Sequence, residues 1–167
     1  MPTKIYLGWA EFEEAVQFIA LKLRKSNYSP DIIVAIARGG LILGVRLSHI
    51  LKIPMRSIHM VFYDEKDNRL EKPKLLIPLQ SEKDVKGKKV LLVDDIADTG
   101  LTLKNAVEYL KSLGAEEIKI ATIAYKPSSI VVPDIFLFVT SKWVVFPWEK
   151  LPILSLEIED LEHPREL

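Results

Sequence analysis

The run "VLLVDDIADTGLT", Val90 to Thr102, decides how this chain folds. With the basic lead "KGKK" before it, the unbroken apolar stretch Val90–Val93 reads as a strand buried on both faces, the kind found in parallel sheets. After the turn, Leu103, Ala106, Val107, Leu110 and Leu113 recur at helical spacing, and Gly114 suits the position just past a helix end. Between strand and helix stand Asp94, Asp95 and Asp98, then Thr99, Gly100 and Thr102.

In open α/β sheets, ligands bind outside the carboxyl ends of the strands, where this acidic turn lies. An ionised aspartate only accepts hydrogen bonds, so Asp94 and Asp95 suit hydroxyl donors or a hard cation. Main-chain N–H groups at a helix start, with threonine hydroxyls, make an anion cradle. Gly100 allows close approach or a positive φ. Carboxylates for a polyol, followed within a few residues by donors for a phosphate, match the polarity of a ribose 5-phosphate. A solvated acidic loop with an N-capping Asp or Thr is the plain structural alternative.

Outward from this run, the alternation of strand and helix continues. "DIIVAIA", from Asp31, is a second buried strand, "RGG" a turn, and "LILGVRLSHIL" a helix packed close to the sheet. "IPMRSIHMVFY", "EIKIATIAY" and "DIFLFV" read as further strands. Phe12, Ala15, Val16, Ile19 and Leu23 mark an early helix that "SNYSP" stops. "YDEKDNRLEKPK", residues 63–74, is charged and nearly free of apolar side chains, and is expected to be a long, mobile surface loop or protruding hairpin. From Trp143 the pattern breaks into aromatics and prolines, "WVVFPWEKLPI", and the tail from Glu157 is acidic. Right-handed strand–helix–strand units imply an α/β fold with a central, mainly parallel sheet flanked by helices. The expected organisation is one domain, 1–167, with a small C-terminal hood over about residues 143–156.

Composition narrows the function classes. Of 167 residues, 49% are hydrophobic, enough for one sizeable core. Lys+Arg and Asp+Glu both number 23, so bulk charge favours neither nucleic acid nor an anionic membrane. The absence of cysteine excludes disulfides and thiolate metal sites. No signal-like N-terminus and no apolar run of ~18 residues is present. The expectation is a soluble, cytoplasmic protein with no nucleic-acid or membrane partner. His49, His59 and His163 have no ligand spacing and read as structural or surface residues.

"VLLVDDIADTGLT" resembles the phosphoribosyl pyrophosphate (PRPP) motif of type I phosphoribosyltransferases. The wider match, roughly Ile32 to Glu149, is similar to the xanthine-guanine and hypoxanthine-guanine branch. The resemblance implies the type I phosphoribosyltransferase fold and transfer of a 5-phosphoribosyl group from PRPP to a 6-oxopurine in purine salvage, with Mg²⁺ as cofactor. It also implies a homodimer or homotetramer. A regulator of the same fold that senses PRPP without transfer, or a transferase for another base, is the alternative.

Residue by residue, the resemblance gives Asp94 and Asp95 the ribose hydroxyls, with Asp95 nearest the metal. Ala97, Asp98, Thr99, Gly100, Leu101 and Thr102 would wrap the 5′-phosphate, and Asp98 would also face purine N7 as a proton acceptor. "ARGG" matches the pyrophosphate loop: Arg38 and Gly39 would meet the leaving group, and a non-proline cis peptide is expected at Ala37–Arg38. Lys126, in "AYKPS", matches the lysine that donates to the 6-oxo group. Trp143 would stack on the base and Val144 would read its edge. Glu149 matches an acidic position near a second metal, where Asp is usual in relatives. Arg69, in the charged loop, would reach PRPP on closure. A Ser-Tyr pair often marks that loop, but here Phe62 precedes Tyr63.

Overall fold

The computed structural model describes residues 3–63 and 69–149, without the side chains of 62–72. Two sheets organise it. The larger has six strands in the order β4-β3-β2-β5-β6-β7: β2 is Ile32–Ala37, β3 Met55–Tyr63, β4 Arg69–Ile77, β5 Lys89–Ala97, β6 Glu117–Tyr125 and β7 Ile135–Val139. All neighbours in it are parallel except β3 and β4. The smaller sheet pairs β1 (Lys4–Tyr6) with β8 (Trp143–Val145), also in parallel.

Three α-helices cover the large sheet: α1 (Trp9–Lys25), α2 (Gly40–Leu51) and α3 (Leu101–Ser112). Strand alternation divides the apolar residues between two cores. Ile33, Ala35, Leu91, Val93, Ala121 and Ile123 face α1 and α2, with Ile19, Leu43 and Leu47 packed among them. Ile32, Val34, Ile36, Val90, Leu92 and Ile120 face the other way, onto Leu103, Ala106 and Leu110 of α3. The central strands are therefore apolar on both faces, as a covered parallel sheet requires.

Three expectations needed correction or completion. The strand before the acidic pair does not stop at Val93 but runs on to Ala97, carrying both aspartates within it. Residues 69–74 belong to β4, which pairs antiparallel with β3, so of the two expectations for this segment the hairpin fits them and the loop does not; residues 64–68 lie outside the described part. Pro73 and the charges hid this strand, yet β4 is the sheet edge, where a residue without an N–H is tolerated. The hood is built from both ends of the fold, because β8 pairs with the N-terminal β1 (Ile5 opposite Val144). Of the expected hood, residues 150–156 lie outside the described part, as does His163.

Phe146 is buried and stacks on Trp148 with ring centroids 5.0 Å apart, and Phe12 of α1 meets Trp148 edge-on at 5.4 Å. Trp148 is thus a packing residue that ties the hood to α1. Among the described residues, no helix is long and apolar enough to cross a membrane.

Candidate active site

β2 and β5 lie side by side at the centre of the sheet. Their pairing ends at Ala35 opposite Val93, while β5 continues against β6 as far as Ala97 opposite Tyr125. On the β2 side the chain turns away through Arg38 and Gly39 into α2. The order of strands runs outward in opposite directions from this pair, to β3 on one side and β6 on the other. A crevice opens at such a switch point, and the acidic pair forms its floor.

The two aspartates have different surroundings. Alternation puts Asp95 on the face of Leu91 and Val93, and Asp94 on the face of Val90 and Leu92. Asp94 Oδ1 accepts from Asp95 N at 2.9 Å, and Asp95 Oδ1 accepts from Ile96 N at 2.7 Å. Burial, then the neighbouring Asp95 charge, holds the Asp94 carboxyl well above the usual carboxylate range. Burial also pushes Asp95 up, to about 6; the Ile96 N–H opposes this and the charge of Glu149 adds to it. Two close carboxylates in a partly closed crevice call for hydroxyl donors or a cation.

The glycine turn lies directly on this pair. A Cβ on Gly39 would overlap the Asp95 carboxylate. One on Gly40 would sit 2.5 Å from the Val93 carbonyl oxygen and 2.9 Å from Asp94 Cα. "ARGG" thus needs glycine at Gly40 for the close approach of one backbone to another, and has glycine at Gly39 where the Asp95 side chain takes the space. The Ala37–Arg38 peptide is cis, as expected, and Arg38 is exposed beside it.

Past β5, Asp98 and Thr99 are exposed and Gly100 has φ 80°. Only glycine adopts that backbone readily. α3 begins at Leu101, whose N–H donates to Thr99 Oγ1 at 3.3 Å. The first N–H groups of a helix have no backbone acceptors within it, so Gly100 and Thr102 offer main-chain donors beside the crevice, the Leu101 N–H being engaged by Thr99.

The opposite wall joins the end of β6 to the hood. Lys126 Nζ lies 2.9 Å from Asp98 Oδ1 and 5.5 Å from the centre of the Trp143 ring. Lys126 is mostly covered, whereas Asp98 and Trp143 are each about half exposed. Together with Asp95, Val144 and Glu149 these three side chains line a cleft of about 180 Å³. Glu149 accepts from Phe146 N through Oε2 at 3.0 Å, so one of its oxygens is engaged in the hood turn. The structure therefore brings Asp95, Asp98, Lys126, Trp143, Val144 and Glu149 to one cleft. Gly39 stands against the Asp95 carboxylate with Arg38 exposed just before it, and Asp94 lies on the other face of β5; these three are not among the residues lining the cleft. The Arg69 side chain lies outside the described part.

Sequence reading missed Ile96 and Phe146, which also line the cleft. Both sit inside stretches it singled out, but as apolar residues beside charged ones they gave no chemical signal.

Among the described residues, no group of three or more His, Cys, Asp or Glu side chains forms a metal cage. Mg²⁺ rarely needs one: it keeps waters and takes one or two carboxylates plus substrate phosphates. The closely spaced, charge-strained Asp94 and Asp95 fit that habit, with Glu149 across the cleft.

Fold and site define an enzyme whose ligands meet at the switch point of a parallel α/β sheet. The chain belongs to the phosphoribosyl transferase domain family, whose sequence profile matches residues 2–150. It is similar to the crystal structure of a purine phosphoribosyltransferase from Pyrococcus horikoshii Ot3, with 48% identity and a TM-score of 0.79, over 92% of this chain and 99% of that one. Xanthine-guanine phosphoribosyltransferase of Desulfotalea psychrophila is 30% identical over 146 residues, 86% of this chain and 84% of that protein. Transcriptional regulator GfcR of Methanococcoides burtonii is 25% identical over 114 residues; the match takes in 68% of this chain and about half, 54%, of the regulator. The chain is accordingly an enzyme of phosphoribosyl transfer.

Proposed function

We propose that the protein transfers the 5-phosphoribosyl group of PRPP to a ring nitrogen of a 6-oxopurine (guanine, xanthine or hypoxanthine), releasing pyrophosphate. The observation that carries this reading is the Lys126–Asp98 pair, a donor and an acceptor 2.9 Å apart beside an aromatic ring. A 6-oxopurine protonated at N7 offers the complement along one edge: an acceptor at O6 and a donor at N7. Adenine carries an amino donor in place of the oxo group, which a lysine ammonium cannot accept from. The similarity to a purine phosphoribosyltransferase and to a xanthine-guanine phosphoribosyltransferase supports the same choice.

In this reading Asp94 and Asp95 accept from the ribose hydroxyls. The segment 97–102 takes the 5′-phosphate through main-chain N–H groups and threonine hydroxyls. Arg38 and the Gly39 turn meet the pyrophosphate and stabilise its charge as it leaves. Trp143 stacks on the base, Val144 reads its edge, and Lys126 fixes O6, so that N9 points at C1 of the ribose. As the N9–C1 bond forms and the C1–O bond breaks, the electron pair of that bond leaves with pyrophosphate. The proton on N7 passes to Asp98. Mg²⁺ would be held by Asp95 with Asp94, and by Glu149 for a second ion; when bound, it supplies charge neutralisation for the phosphates.

Lys126→Met keeps the length and apolar stem of the side chain and removes its donor. It is expected to lower kcat/KM for hypoxanthine by about tenfold to a hundredfold, the range for a lost charged hydrogen bond. The rate with adenine should change little, so the ratio of the two rates is the quantity to measure. An equal loss for both bases would overturn the assignment of Lys126 to the oxo group.

A further inference from the structure

The turn after Lys126, "KPSSIV", has no part in the chemistry above, yet it is clipped to the phosphate loop. Lys126 N donates to Ala97 O at 2.9 Å, and Ile130 N donates to Thr99 O at 3.0 Å. The turn is closed on itself at Ser129. Its hydroxyl donates to Val131 O at 2.7 Å and accepts from Val131 N at 3.3 Å, while Ser129 N donates to Lys126 O at 2.9 Å.

Gly100 lies against this closed turn. It is buried although it belongs to a loop. A Cβ there would come within 2.5 Å of Ser129 Oγ, 2.7 Å of Val131 N and 3.1 Å of Ile130 N. Of the apolar side chains here, Val131 is partly buried against the core under α3, while Ile130 and Val132 on either side of it are about 60% exposed. Hydrogen bonds and the glycine contact hold the turn alongside that apolar packing. The Ser129 hydroxyl is the side-chain group that fixes where Ile130 N and Val131 N stand, and they fix Thr99 and Gly100.

We propose that Ser129 is a positioning residue for the phosphate loop, acting on the 5′-phosphate of PRPP through the backbone of Thr99 and Gly100 without touching it. This rests on the reading of 97–102 as the 5′-phosphate loop. The pyrophosphate side of the crevice, at Arg38 and Gly39, is built by the turn between β2 and α2 and does not depend on Ser129.

The test is to titrate ribose 5-phosphate and pyrophosphate separately, with Mg²⁺, into the wild type, Ser129→Ala and Thr102→Ala by calorimetry. Ser129→Ala is expected to weaken ribose 5-phosphate about fivefold to tenfold, the worth of one hydrogen bond. Pyrophosphate affinity should not change, and Thr102→Ala should weaken ribose 5-phosphate as well. Undiminished ribose 5-phosphate affinity in Ser129→Ala, with a loss in Thr102→Ala, overturns the positioning role and leaves the loop assignment standing. No loss in either variant overturns the loop assignment and the role with it. Equal weakening of both ligands in Ser129→Ala marks a general structural defect and also overturns the proposal.

Discussion

Alanine at position 39 is expected to lower kcat/KM for PRPP by about a hundredfold or more, while the melting temperature stays within a few degrees of wild type. The two halves of this expectation have separate causes. Gly39 has φ −58° and ψ −42°, a backbone any residue adopts, so alanine brings no conformational strain. The atoms nearest its Cβ are those of the Asp95 carboxylate, the end of a side chain that can turn aside. Alanine also restricts the unfolded chain, which offsets part of any cost. The displaced carboxylate, however, is the one that lines the cleft. Misplacing a positioning group by about 1 Å is enough for a loss of this size. Kinetics and a thermal melt on one preparation check it. Unchanged use of PRPP by Gly39→Ala would mean that Asp95 is not needed where it now stands.

Asp95→Asn is expected to move stability and ligand affinity in opposite directions. The Asp95 carboxyl is raised from 3.8 to about 6 in the folded protein, chiefly by burial. A raised carboxylate binds its proton more tightly when folded, so its contribution to stability is present below about pH 4 and is lost as pH rises through 6. At pH 7 the ionised group is a cost of up to about 3 kcal/mol. Asparagine removes the charge and keeps an oxygen to accept from Ile96 N. The ligand-free variant should therefore melt several degrees above wild type at pH 7, and the gap should close by pH 4. Its affinity for PRPP with Mg²⁺ should fall, because the charge that burdens the empty crevice is the one the ligand uses. A lower melting temperature at pH 7, or undiminished PRPP affinity, would contradict this account.

Much of this arrangement is legible in the amino-acid sequence because it is local. "VLLVDDIADTGLT" holds its strand, carboxylates, glycine and helix start within thirteen consecutive residues, and each follows from period, acidity or backbone freedom. The twin apolar runs at Ile32–Ile36 and Val90–Val93 likewise announce central strands covered on both faces. What was not legible depends on partners distant in the chain. β1 is three residues long and becomes a strand only by pairing with β8, across almost the whole described chain. The start of β4 is charged and contains Pro73, and only its place at the sheet edge makes it a strand. The different surroundings of Asp94 and Asp95 depend on the elements packed against the two faces of β5, which come from distant parts of the chain. Ser129 carries no motif at all. It matters because Gly100 comes to rest on it.

The most direct measurement is product formation. The protein is incubated with PRPP, Mg²⁺ and, in turn, hypoxanthine, guanine, xanthine and adenine, and the mixture is resolved by chromatography. The account predicts a nucleoside 5′-monophosphate from at least one of the 6-oxopurines, in equal amount to the pyrophosphate released, with little from adenine. PRPP bound tightly with no nucleotide formed from any purine, or nucleotide formed from adenine alone, would contradict it.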